Sequence, residues 1–242
     1  MATNPYILGS SSVPAGPWVP TDIGGCTPWL RSDLGITMDG SNRVAIWADQ
    51  SGEGNDVAQD TDSKKLVWTP NQLNGYPALV GDTVDDYLIK ANMYWSTQEI
   101  TVFAVLYYPG PSAYGNFLDY GYSSPGDLGF RQWAATEGKV QFANASANRG
   151  ATTAGSHAGA YHYYVATLSV ADHFTMRVDG VNDGTDDYTT TISAGPRELR
   201  INARQDGYPG GGSYVEFALF NSVVIGSDLT ALETYAANRY GL

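Results

Sequence analysis

The longest stretch dense in β-formers and free of Gly and Pro runs from Glu99 to Tyr108. Strand side chains alternate in direction, so Ile100, Val102, Ala104 and Leu106 face one way, and Thr101, Phe103, Val105 and Tyr107 the other. Both faces are largely apolar, which predicts a central strand covered on each side. Ten residues is short for a buried helix, and the β-branched and aromatic content argues against one. Tyr161–Leu168, Phe174–Val178 and Val215–Phe220 share this character. Shorter runs at 43–47, 66–68, 77–80, 87–89, 128–133, 139–142 and 199–201 are separated by turn residues. Many short strands punctuated in this way predict an all-β sandwich. Asp179-Gly180 predicts a hairpin turn, and the small residues of 143–160 predict an exposed loop. The period changes at the end of the chain. Leu229, Leu232, Ala236 and Tyr240 fall on one helical face, Thr230-x-x-Glu233 matches a capping box, Ser227 is an alternative N-cap, and Gly241 suits a C-terminal cap.

The first 28 residues carry another pattern. They hold five of the twelve prolines and no charged residue before Asp22, which predicts an extended arm rather than a helix or a central strand. Disordered tails are normally polar and charged, whereas Tyr6, Ile7, Leu8, Val13, Trp18 and Val19 are apolar. The expectation is an arm over residues 1–27 that docks on its own domain or on a neighbouring subunit, followed by one domain over 28–242. A chain of 242 residues buries roughly 70–75% of its unfolded surface, enough for one sizeable core.

Charge narrows the partners. Thirteen basic and twenty-five acidic residues give a net charge of −12, which opposes nonspecific binding to nucleic acid or anionic membrane. Cys26 is the single cysteine, so no intrachain disulfide forms. A basic segment followed by a long apolar one is missing at the N-terminus, and no apolar run approaches the length of a membrane span. The expectation is therefore a chain without a signal peptide or membrane insertion.

The order Trp29-Leu-Arg-Ser-Asp33, Val44-Ala-Ile-Trp-Ala-Asp-Gln-Ser-Gly52, Asn74-Gly-Tyr-Pro77, Asp82-Thr-Val-Asp-Asp-Tyr-Leu88 and Ile100-Thr-Val-Phe-Ala-Val105 resembles the concanavalin A-like lectin/glucanase superfamily. Within it, the pattern is similar to the laminin-G-like jelly-roll modules of bacterial and phage surface proteins. Val178-Asp-Gly180 and Val215-Glu-Phe-Ala-Leu-Phe-Asn221 fit the same pattern. The resemblance implies a two-sheet antiparallel jelly roll over about residues 28–242 and leaves the function open, because such folds host sugar binders, hydrolases and assembly modules.

Candidate chemistry is sparse. The Glu-x-Asp-x-Glu pattern of the glucanase branch is absent, and the six glutamates are scattered, with Glu216 alone in its strand. No nucleophile elbow, phosphate loop or zinc spacing occurs, and His157, His162 and His173 show no partner pattern. The expectation is a protein that is not an enzyme. Calcium is a candidate ligand of two aspartate groups, Asp82/Asp85/Asp86 and Asp183/Asp186/Asp187, although turn-forming aspartates explain both without metal. Tyr114, Tyr120, Tyr122 and Tyr208 are candidates for stacking on sugar rings or a protein partner. Two functional classes follow. The first is a virion protein of a tailed bacteriophage, a capsid decoration or head fibre docked by its arm onto the major capsid protein or fibre and tail subunits, and homo-oligomeric. The alternative is a lectin-like module that binds surface glycans.

Overall fold

The computed structural model describes residues 17–110, 115–121, 128–133, 139–144, 149–170, 173–188, 192, 195–205, 207 and 209–242. In chain order the strands are β1 (Cys26–Arg31), β2 (Ile36–Met38), β3 (Val44–Trp47), β4 (Val57–Ala58), β5 (Val67–Leu73) and β6 (Tyr76–Val80). There follow β7 (Leu88–Trp95), β8 (Ile100–Tyr107), β9 (Asn116–Tyr120), β10 (Leu128–Trp133), β11 (Lys139–Asn144) and β12 (Arg149–Thr152). The last are β13 (Tyr161–Leu168), β14 (Phe174–Val178), β15 (Val181–Asp186), β16 (Gly195–Ile201) and β17 (Ser213–Phe220), before the helix α1 (Gly226–Tyr240).

These strands form two antiparallel sheets. One has the order β15-β14-β13-β8-β17-β6-β5, with β1 also paired to β17, and the other β12-β11-β10-β9-β16-β7-β4-β3-β2. The all-β sandwich expected from the alternation is therefore present, with β8 at the centre of the first sheet. Asn74-Gly75 joins β5 to β6 and Asp179-Gly180 joins β14 to β15; all four residues have positive φ, the backbone that tight two-residue hairpins need.

The two faces of β8 have different covers. Ile100, Val102, Ala104 and Leu106 point between the sheets, into a core with Trp47, Phe117, Phe130, Phe142 and Phe217. Phe103 and Val105 point outward, where Leu232, Ala236 and Tyr240 of α1 and Ile23, Cys26 and Trp29 cover them. The helix thus forms a third layer, which explains a strand apolar on both faces. Trp18 and Val19 pack at the margin of this outer core, so residues 17–27 of the expected arm lie against the chain's own domain. Tyr6, Ile7, Leu8 and Val13 lie outside the described residues. Among the described residues, no helix is long and apolar enough to cross a membrane.

Two local expectations are corrected, and one strand forms without apolar alternation. Residues 149–152 are a strand rather than exposed loop, paired to β11, because their smallness serves packing. A Cβ on Gly150 would lie 2.4 Å from Cα of Ala143 and one on Gly184 would lie 2.4 Å from the Thr152 carbonyl oxygen, so glycine lets β12 approach β11 and β15 approach β12. Polar-looking Asn116–Tyr120 is also a strand, buried throughout. The helix starts at Gly226 with Ile225 as N-cap, and the expected capping box does not form: Thr230 donates to the Gly226 carbonyl, and Glu233 pairs with Arg177 at 2.6 Å. Gly241 ends the helix in the left-handed conformation, as expected.

Candidate functional site

A cleft of about 660 Å³ opens between α1, the β5–β6 turn region and the residues preceding β1. Its apolar surface comes from Trp18, Tyr76 and Tyr235, and its polar edge from Arg31, Arg239, Thr234 and Asn238. The Trp18 and Tyr235 ring centroids are 5.6 Å apart at 58°. The Arg239 guanidinium lies 4.6 Å from the Tyr76 ring centroid, a cation–π contact that fixes one wall.

A buried carboxylate holds Tyr235 from behind. Glu216 is fully buried on β17 and accepts from Trp29 Nε1 at 2.5 Å, from Tyr235 at 3.0 and 3.2 Å, and from the Tyr240 hydroxyl. Burial pushes its pKa up, and the bonds from Tyr240, Trp29 and Tyr235 oppose that shift. Three donors on one acceptor pair explain how a lone glutamate is tolerated in a strand core. At the mouth, Arg31 binds Asp33 through two bonds of 3.0 and 2.8 Å, and Arg239 reaches the same carboxylate at 2.6 Å. Burial alone would raise the Asp33 carboxyl, but Arg31 and Arg239 together hold it below its usual value.

The remaining predicted residues are scattered. Tyr120 is corrected as a stacking residue: it is 2% exposed, its ring packs 6.0 Å from Trp95, and its hydroxyl donates to the Met93 and Gly195 carbonyls. Tyr114, Tyr122 and Tyr208 lie outside the described residues. Asp183, Asp186 and Asp187 do not converge. Asp183 lies 2.6 Å from His157, Asp186 holds Arg149 through two bonds, and Asp187 lies 2.7 Å from His173. His162 pairs with Asp179 at 2.6 Å, so all three histidines do have carboxylate partners, supplied by the β14–β15 hairpin and the residue after it. Asp82, Asp85 and Asp86 do converge, with one carboxylate oxygen of each within 4.8 Å of the others. Cys26 is buried and its thiol is pushed up by burial, then by Asp49 and Glu216, which disfavours a thiolate nucleophile.

Of the cleft residues, Trp18 and Val19 were singled out from sequence, as parts of the apolar arm. Tyr76, Arg31, Tyr235 and Arg239 are too far apart along the chain to read as a group. The one local signal was the extra tyrosine, Tyr235, beside the buried helical stripe.

No protein-family model matches the chain, and no curated protein matches it. Among solved structures, the chain is similar to Trypanosoma rangeli sialidase in complex with a 2,3-difluoro-KDN compound, with TM-score 0.59 and 14% identity over 88% of this chain and 33% of the sialidase. The chain thus spans about a third of that protein's length. It is also similar to domain 4 of AbnA, a GH43 extracellular arabinanase from Geobacillus stearothermophilus, solved in complex with arabinotriose. There the TM-score is 0.60 at 9% identity, over 86% of this chain and 98% of that domain. The expectation that the chain is not an enzyme is corrected here. Part of a sialidase and an arabinanase domain share its fold, so the missing Glu-x-Asp-x-Glu pattern, which belongs to one branch of jelly-roll hydrolases, does not exclude glycoside chemistry. At these identities the likeness establishes the architecture: an all-β sandwich of two antiparallel sheets, shared with parts of glycan-processing proteins.

Proposed function

We propose that the chain is a glycan-binding β-sandwich module and that its sugar site is the cleft between α1 and Trp18. The observation that carries this reading is the pairing of aromatic faces with polar side chains at one opening. Trp18, Tyr76 and Tyr235 offer surface for the C–H face of a sugar ring, while Thr234, Asn238 and the guanidiniums of Arg31 and Arg239 stand where hydroxyls would need partners. Glu216 and Asp33 preorganise the walls, so little ordering remains to oppose binding. The near-complete overlap with an arabinanase domain solved with arabinotriose supports the same reading.

The virion-assembly reading is set aside in favour of this one. It rested on the arm over residues 1–27, of which 1–16 lie outside the described residues while Trp18 and Val19 pack on the chain's own domain, and the solved structures above are sugar-directed proteins rather than particle components.

Isothermal titration of the full chain against arabinotriose, neutral hexose oligomers and sialylated oligosaccharides tests the proposal. At least one should bind, and Trp18→Ala should weaken it about tenfold, the order of one lost aromatic contact. Binding by none of them, or native affinity in Trp18→Ala, would overturn the assignment.

A further inference from the structure

Two of the histidines stand together. His157, between β12 and β13, and His162, at the start of β13, have ring centroids 4.9 Å apart at 80°. Each is held by a carboxylate on one ring nitrogen: Asp183 Oδ2 lies 2.6 Å from His157 Nε2, and Asp179 Oδ2 lies 2.6 Å from His162 Nδ1. The carboxylates are themselves fixed through their other oxygens. Asp179 Oδ1 accepts the Tyr163 N–H at 3.0 Å, and Asp183 Oδ1 accepts the Ala154 N–H at 3.3 Å. An ionised carboxylate only accepts, so the nitrogen facing it carries the proton, and in a neutral imidazole the opposite nitrogen keeps a lone pair. Those opposite atoms, His157 Nδ1 and His162 Nε2, make no hydrogen bond among the described residues.

A carboxylate behind the ring and a free nitrogen in front is the arrangement of histidines that ligate metal ions. Two imidazoles sharing a zinc ion at about 2.0–2.1 Å per nitrogen, near the tetrahedral angle, have ring centres about 5 Å apart, which is the separation of this pair. A second observation points to the same place. Tyr164, whose ring lies 6.2 Å from that of His157 and 6.1 Å from that of His162, is fully buried, and its hydroxyl has no hydrogen-bond partner among the described residues. Burial first, then the charges of Tyr108, Asp179 and Asp183, push the pKa of that hydroxyl well up, so it stands near the same two carboxylates. A buried polar group without a partner is rare, and a water on an ion held by the two histidines supplies one. His173 also meets a carboxylate, Asp187, but its side chain is 52% exposed, against 18% and 19% for His157 and His162.

We propose that His157 Nδ1 and His162 Nε2 bind one zinc ion, with water completing the coordination and Asp179 and Asp183 orienting the rings from behind. Nitrogen donors favour zinc and disfavour calcium and magnesium, which take oxygen. The two carboxylates balance the charge of a divalent ion. An ion here ties the β12–β13 connection to the β14–β15 hairpin, which already share the bond from the Ala154 N–H to the Asp183 carbonyl at 2.9 Å. The site is separate from the aromatic cleft and does not depend on the glycan reading.

Calorimetric titration of the full chain, stripped with chelator, with zinc chloride is the test, read beside thermal unfolding. One ion per chain and a rise in the unfolding temperature are expected. His157→Ala and His162→Gln should each abolish or strongly weaken zinc binding, whereas His173→Ala should leave it unchanged. Asp179→Asn keeps both zinc-facing nitrogens and reads the positioning role; it should weaken binding about 10–100-fold. Imidazole NMR signals of the native chain give a readout that needs no variant to fold: those of His157 and His162 should shift on adding zinc. Absence of heat at millimolar zinc, native affinity in either histidine variant, or NMR shifts confined to His173 would overturn the proposal. Calcium or magnesium binding at these histidines as tightly as zinc would overturn the choice of ion.

Discussion

Glu216 shows how one residue couples the outer core to the cleft. Its carboxylate is the common acceptor for Trp29, Tyr235 and Tyr240, side chains from β1 and α1. Its folded pKa lies above its ordinary 4.5, so the folded state holds this proton more readily than the unfolded one. Its contribution to stability is therefore fully present below that ordinary value and is lost as pH rises through the raised one. Urea unfolding at about pH 4 and about pH 8 should show a smaller difference in stability for Glu216→Gln than for the native chain. Glu216→Ala, which strands three donors, should cost about 2–4 kcal/mol at neutral pH. Sequence showed Glu216 as a lone glutamate in its strand, yet its partners come from positions up to 187 residues away, and no local pattern names them.

At the scale of elements, what was readable depended on which force shapes each one. Strands with apolar alternation, such as β8, β13, β14 and β17, were legible because burial imposes the pattern directly. Strands β9, β12 and β15 were not, because small or polar residues build them. Asp119 and Asn116 in β9 are buried, and Gly150 and Gly184 are required by close backbone approach. At Gly184 an added methyl would meet the Thr152 backbone, which cannot step aside as a flexible side chain would. Gly184→Ala should destabilise the fold by about 1–3 kcal/mol in urea unfolding; an unchanged midpoint would show that β12 and β15 can separate without cost. The helix boundary was misplaced by one turn signal. The capping-box residues Thr230 and Glu233 lie inside α1, where Glu233 is engaged by Arg177 of β14.

For the molecule as a whole, the first sheet needs its third layer. Phe103, Val105, Tyr163, Val165, Val215 and Ala218 form a continuous apolar surface beneath α1 and the residues around β1. Removing residues 222–242 bares much of it, and a patch of that kind drives association. The truncated chain should scatter light at concentrations where the full chain stays monodisperse. Sequence alone determined the fold class, the central strand and its two apolar faces, the terminal helix and the acidic charge balance, because each is written in local periodicity or composition. It could not determine what covers the second face of β8, which tyrosines stay exposed, or which aspartates converge. Tyr120 and Tyr235 are chemically equal in the sequence, and only packing puts one in the core and the other at a cleft. Asp82, Asp85 and Asp86 meet while Asp183, Asp186 and Asp187 part, because a turn folds three side chains onto one point whereas an edge strand and the residue after it hand theirs to separate basic partners.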